Sequence, residues 1–271
     1  MPELPEVETT RRGIEPHLTG RRITQVCVRE PRLRWPIPDD LPQRIQGGEI
    51  TGVDRRGKYL LIQCPPGIIL IHLGMSGSLR LVPPGTPPRP HDHVDLTLDS
   101  GLTLRLHDPR RFGALLWFNP ETGNHPLLAH LGPEPLGEGF DGNYLFRISR
   151  GRRVSIKALI MNSQIVVGVG NIYASESLFL AGIRPRRAAG RLTRAEAARL
   201  VTAIRQVLEA SIAQGGTTLR DFVHEDGAHG YFSQSLRVYG RPQAPCPVCH
   251  APIKHITQSG RSSYYCPTCQ K

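Results

Sequence analysis

The spacing of apolar positions changes character twice along the chain. Residues 5–18, PEVETTRRGIEPHL, place Val7, Thr10, Ile14 and Leu18 on one face at helical spacing, which predicts a short helix. Its start reads poorly, because Pro5 biases Leu4 away from helical backbone geometry. Strand-like segments follow: ITQVCVRE, EITGVDRRGKYLLIQ, GIILIHLGMSGSLRLV, HVDLTLDSG, LTLRLHD and GALLWFN, separated by glycine, proline and an Asp-Ser-Gly turn. Within them VDLTLDSGLTLRL reads as a hairpin. These segments predict a β-sandwich domain over residues 1–131, and LGPEPLGEGF is the boundary. Helical spacing then returns in 143–163, in 171–181 and in LTRAEAARLVTAIRQVLEASIAQGG, where Thr193 caps with Glu196 three residues on and Gly215-Gly216 closes the helix. The helical domain is expected over 132–236, with a glycine-rich loop at 217–232, and a small terminal domain over 237–271. The whole is an α+β architecture without internal repeats. No apolar run is long enough to cross a membrane, and the expectation is a soluble, cytoplasmic monomer.

Charge narrows the partner. A net charge of +11 and a pI of about 9.8 favour a polyanion, nucleic acid before an acidic membrane. Thirty of the basic residues are arginines, and lysine appears only at 58, 157, 254 and 271. A lysine pKa is lowered into a useful range more easily than an arginine's, which draws attention to Lys58 in RRGKYLL. Cysteine adds a metal. Cys246, Cys249, Cys266 and Cys269 form CPVC and CPTC with sixteen residues between the pairs, the spacing of a four-thiolate zinc ribbon with room for a hairpin. Cys27 and Cys64 read as buried strand residues.

Three further segments could carry chemistry. VVGVGNIYASESLF lacks the third glycine of a dinucleotide-binding turn, Tyr173 standing in its place. It reads better as a tight turn delivering Asn171 and backbone N–H groups at a helix start, where a phosphate is well held. HLGMSGSLR and HDPRRFG set Met75 and Phe112 beside glycines and bases, as DNA-binding wedges are set, although each alone also fits an ordinary strand turn. Finally, removal of Met1 would give Pro2 a secondary amine with a pKa of about 8. Such an amine attacks an aldehydic sugar carbon to form an iminium, which acidifies the neighbouring C–H and permits elimination. Glu3 is placed to transfer protons. A frayed terminus is the plain alternative for those two residues.

Jointly, PELPEVET, RRGKYLL, HLGMSGSLR, HDHVD, DPRRFGA, HLGPEPL, VVGVGNIYASE, QGGTTLRDF and the ribbon resemble the bacterial formamidopyrimidine-DNA glycosylases over essentially the whole chain. The resemblance implies a β-sandwich domain, a helix–two-turns–helix domain and a zinc ribbon with one structural Zn2+, binding double-stranded DNA that contains oxidised purines in a cleft between domains. It implies a glycosylase that is also an abasic-site lyase. Pro2 would be the nucleophile, Glu3 the proton-transfer acid with Glu6 in support, Lys58 the lysine of phosphate contact and β-elimination, and Arg261 the arginine of δ-elimination. DNA contacts would fall on His72, Met75, His91, Arg110, Phe112, Arg152 and Asn171, with Met75, Arg110 and Phe112 filling the gap left by an extruded nucleotide. Lys157 matches a family position less firmly, and the 217–232 loop resembles the segment that closes over 8-oxoguanine. Two rivals are weighed: the endonuclease VIII group, which prefers oxidised pyrimidines, and a catalytically silent zinc protein that binds DNA.

Overall fold

The structure, a computed structural model, describes residues 2–215 and 236–271, and the expected 217–232 loop lies wholly outside them. Among the described residues the chain divides into two compact units between Ala129 and His130.

The first unit opens with α1 (Leu4–Leu18), followed by β1 (Ile23–Val28), α2 (Leu41–Ile45), β2 (Gly52–Arg56), β3 (Tyr59–Cys64), β4 (Gly67–His72), β5 (Ser78–Val82), β6 (Asp92–Leu98), β7 (Thr103–His107), β8 (Ala114–Phe118) and α3 (Pro126–Ala129). Two antiparallel four-stranded sheets, ordered β1-β6-β7-β5 and β2-β3-β4-β8, make the sandwich. Side chains from both sheets meet in one core, among them Leu60, Ile62, Ile69, Leu96 and Leu104, and α1 adds Val7, Ile14 and Leu18 to it. All four positions picked from the helical spacing of α1 are buried. Sandwich packing of this kind needs alternation along each strand, and β3 shows it, with Leu60, Ile62 and Cys64 buried between half-buried neighbours. Cys27, by contrast, is only half-buried.

Three expectations need correction. The poor helix start is a good one: the helix begins at Leu4, and Pro5 lies in the first turn, where a missing N–H costs no intrahelical bond. Glu6 then accepts the Glu3 N–H at 2.8 Å, half of a capping box that hydropathy does not reveal. The long strand expected over 49–63 turns back at Gly57-Lys58, and the one over 67–82 leaves the β2-β3-β4-β8 sheet after His72 and joins the β1-β6-β7-β5 sheet at Ser78.

The second unit carries α4 (Gly142–Ser149), α5 (Ile156–Ile160), α6 (Asn171–Leu180), α7 (Arg194–Ala213), β9 (Lys254–Gln258) and β10 (Arg261–Tyr265). The helix expected over 143–163 is two helices, broken at Gly151, whose φ is +69°. Helix α7 starts as expected, with Thr193 accepting the Glu196 N–H and Glu196 accepting the Thr193 N–H at 2.9 Å. Phe140, Leu145, Ile156, Tyr173, Leu200 and Leu208 share the helical core, and the Tyr173 hydroxyl meets Ser211 Oγ at 2.6 Å, joining α6 to α7. The β9–β10 hairpin fills the stretch between the cysteine pairs. Its small core of Val238, Cys246, Ile253 and Cys266 includes Phe179 of α6.

Candidate functional site

In the first unit the terminus is built into the fold. Pro2 and Glu3 are buried, and the Glu3 amide is fixed by Glu6 on the first turn of α1. Lys58 follows Gly57 in the β2–β3 turn, where Gly57 has φ +57°. Tyr59 pairs in register with His72 across β3 and β4, and the two rings lie 4.9 Å apart. His72 Nδ1 accepts the Gly74 N–H at 3.0 Å, so the imidazole folds back onto its own turn. Burial, with the Lys58 and Arg34 charges nearby, lowers the His72 pKa to about 4. Lys58 and His72 are thus brought close enough to feel each other.

The next turn presents exposed apolar side chains. Met75 and Phe112 are each 40 % exposed, two of only four large hydrophobics so exposed among the described residues, so neither fills the core. The Arg110 guanidinium lies over the Phe112 ring at 4.8 Å. The two turns interlock through glycines. A Cβ on Gly74, whose φ is +62°, would lie 2.5 Å from the Phe112 carbonyl carbon, and one on Gly113 would lie 2.7 Å from the His72 carbonyl oxygen. Asp108, fully buried, accepts the Gly113 N–H at 2.7 Å, while its carbonyl is bonded by His93 Nε2 at 2.8 Å. The His91 carbonyl accepts the Asp108 N–H at 3.0 Å, so His91, at φ +72°, is tied to the same knot as Arg110 and Phe112. Sequence reasoning missed Asp108 and His93 as supports. Their signal is present in HDHVD and DPRRFG, the same motifs that carry His91, Arg110 and Phe112.

In the second unit, Gly168 (φ +81°) turns the chain and Gly170 caps α6, so that Asn171 opens the helix as expected. Its Nδ2 donates to the Tyr239 hydroxyl at 3.3 Å, and its buried Oδ1 has no hydrogen-bond partner among the described residues. Tyr239 was not anticipated. It reaches this position because Glu176 of α6 accepts the N–H groups of Arg237, Val238 and Tyr239 at 2.8–2.9 Å. Burial raises the Glu176 pKa against those three donors. Arg261 is exposed at the first position of β10. Lys157 is buried on α5 and donates to the Ser262 carbonyl at 2.8 Å and to Ser263 Oγ at 2.7 Å, bracing the hairpin that carries Arg261. Arg152 is exposed in the α4–α5 connection, its Nε donating to the Ile148 carbonyl.

The four cysteine Sγ atoms lie within 4.8 Å of one another, with Cys246–Cys269 at 3.8 Å and Cys249–Cys266 at 3.4 Å. Tetrahedral Zn–S bonds of about 2.3 Å need sulfur separations of about 3.8 Å, so the donor set fits one zinc. The N–H groups of Val248 and Cys269 point at Cys246 and Cys266 sulfurs at 3.4 Å, as donors to thiolates do. These four residues hold one structural zinc. Four thiolates leave no position for substrate, so the metal shapes the ribbon.

Family models match along the chain in order: the formamidopyrimidine-DNA glycosylase N-terminal domain over residues 1–115, its H2TH domain over 131–223, and the zinc finger found in FPG and IleRS over 244–271. The formamidopyrimidine-DNA glycosylase of Thioalkalivibrio sulfidiphilus is 69 % identical over 271 residues, all of both chains. A crystal structure of a Lactococcus lactis Fpg mutant with DNA containing Fapy-dG matches with a TM-score of 0.92 at 32 % identity over 100 % of both chains. The Lactococcus lactis enzyme with DNA containing an abasic site matches with a TM-score of 0.90 at 32 % identity over 99 % of both. With the sandwich, the helical unit and the four-thiolate ribbon in the same order as these relatives, the chain belongs to the formamidopyrimidine-DNA glycosylase family, the DNA glycosylases of base-excision repair.

Proposed function

We propose that this glycosylase removes oxidised purines, 8-oxoguanine and formamidopyrimidines, from double-stranded DNA and then cleaves the abasic strand as a lyase. The observation that carries the reading is the buried, capped terminus: Pro2 and Glu3 do not fray but lead directly into a helix fixed by Glu6. With Met1 removed, the Pro2 nitrogen attacks C1′, the bond from C1′ to the base breaks, and the base leaves with a proton. Glu3 assists opening of the sugar ring, which leaves an iminium between Pro2 and C1′. Loss of a C2′ proton expels the 3′ phosphate, with Lys58 in attendance. A second elimination, with Arg261 gripping phosphate, expels the 5′ phosphate and leaves a one-nucleotide gap. His72, His91, Arg152 and Asn171 bind DNA, and Met75, Arg110 and Phe112 fill the space of the extruded nucleotide. The relatives' complexes with Fapy-dG DNA and with abasic-site DNA support both halves of the reading. The protein acts as a monomer on cytoplasmic DNA.

Borohydride trapping on an 8-oxoguanine duplex tests it. Met-free protein should form a covalent adduct. Pro2→Gly should cut trapping by about a hundredfold or more while leaving affinity for the duplex within about threefold. No adduct from Met-free protein removes the lyase reading, and faster excision from a thymine-glycol duplex removes the purine preference.

A further inference from the structure

We propose that the Glu8–Arg55 ion pair is a positioning device that sets the Lys58 turn against the helix that follows Pro2. The proposal rests on the reading of Pro2 and Lys58 as the reacting groups. Glu8 stands on α1, little more than one turn beyond its start, and is 8 % exposed. Its carboxylate accepts from Arg11 Nε at 3.1 Å, from an Arg11 terminal nitrogen at 3.0 Å, from Arg12 Nε at 2.8 Å and from Arg55 Nε at 3.0 Å. Arg55 is on β2, and its other arm donates to the Gly57 carbonyl at 2.9 Å, immediately before Lys58. Arg11 makes a second strap, donating to the Val53 carbonyl of β2 at 3.2 Å. One carboxylate therefore ties the helix that carries the terminus to the backbone of the turn that carries the lysine.

Glu8 itself has no proton to give. Although burial raises its pKa, the Arg11, Arg12 and Arg55 guanidiniums hold it at about 2, and four donors already occupy it. That excludes it as a general acid near neutral pH and leaves geometry as its role. Nor is stability a sufficient reason for the network, because a buried ion pair contributes little net stability relative to apolar packing. What it supplies is direction: a guanidinium fork accepts only a narrow range of angles, so the helix and the turn are held in one register.

Single-turnover borohydride trapping on an abasic-site duplex is measured beside the Kd for a duplex bearing a tetrahydrofuran abasic analogue, which cannot form an iminium. Glu8→Gln and Arg55→Lys should each slow trapping about tenfold or more while Kd stays within about twofold. Arg55→Lys keeps the charge but cannot span Glu8 and the Gly57 carbonyl together, so its loss reports geometry. The double variant should be no slower than the worse single one, as for one device. Losses under about twofold, losses that multiply in the double variant, or losses that follow the fall in Tm overturn the proposal. If Glu8→Gln fails to fold, Arg55→Lys alone carries the same test. Wild-type protein that traps normally while both variants match it defeats the positioning device alone, whereas wild-type protein that never traps defeats the Pro2 reading first.

Discussion

His72 shows how far a single residue's environment departs from what its sequence position reveals. HLGMSGSLR marked it as a DNA contact, and nothing in that string announces a buried imidazole folded onto its own turn. Its pKa is about 4 in the fold against 6.5 for a free histidine. Between those values the unfolded chain holds a proton that the folded chain lacks, so His72 costs stability as pH falls from about 6.5 towards 4 and costs none above that window. In a proton NMR titration, one imidazole signal that vanishes in His72→Gln should keep its neutral position down to pH 5. A midpoint above 6 for that signal would contradict the burial argument. Other site residues were more legible. Cys246, Cys249, Cys266 and Cys269 could be read from spacing alone, because a metal fixes its ligands' separation. Pro2 and Glu3 needed the downstream motifs, since a first residue has no local pattern to betray burial.

At the scale of elements, the sequence spoke clearly where one periodicity governed a segment and poorly where a backbone reversal intervened. Helix α7 could be read to its cap because Thr193 and Glu196 are local partners. The split between α4 and α5 rests on one glycine, Gly151 at positive φ, and the passage of the chain from one sheet to the other after His72 depends on tertiary contacts that no periodicity records. The Met75 and Phe112 turns give the sharpest case. Their outward residues were visible in the motifs, but the glycine interlock between them is a fact of packing. Gly74→Ala would force a Cβ to 2.5 Å from Phe112 backbone at a φ of +62°. We expect a loss of about 2 kcal/mol or more in denaturant unfolding, and weaker discrimination of lesion from intact duplex. A stable Gly74→Ala protein with unchanged discrimination would show that the turns tolerate separation.

For the whole molecule, charge pointed to a polyanion and the division into sandwich, helices and ribbon was legible, because each part has its own periodicity or metal signature. The zinc holds together the part with the smallest core: Phe179, Val238, Cys246, Ile253 and Cys266, two of them ligands. Chelation should therefore disorder the β9–β10 hairpin and abolish tight DNA binding while most of the circular dichroism survives, and added zinc should restore binding. Full binding by metal-free protein, with zinc content checked by atomic absorption, would refute this. If Arg261 grips one phosphate, Arg261→Ala should lower the slope of log K against log salt by about 1. An unchanged slope would release Arg261 from that role.

The interlock of Gly74 with Gly113 also bears on how damage is found. Met75 and Phe112 stand on turns whose backbones touch, so if they enter a duplex as proposed they do so as one stiff tooth and not as two independently moving fingers. Testing a base step then spends little energy on rearranging the tooth. The cost falls on the DNA, as the work of unstacking that step. A search conducted this way would pass quickly over well-stacked steps and pause where a lesion has already loosened the stack, which would make the mechanics of the duplex part of the recognition signal.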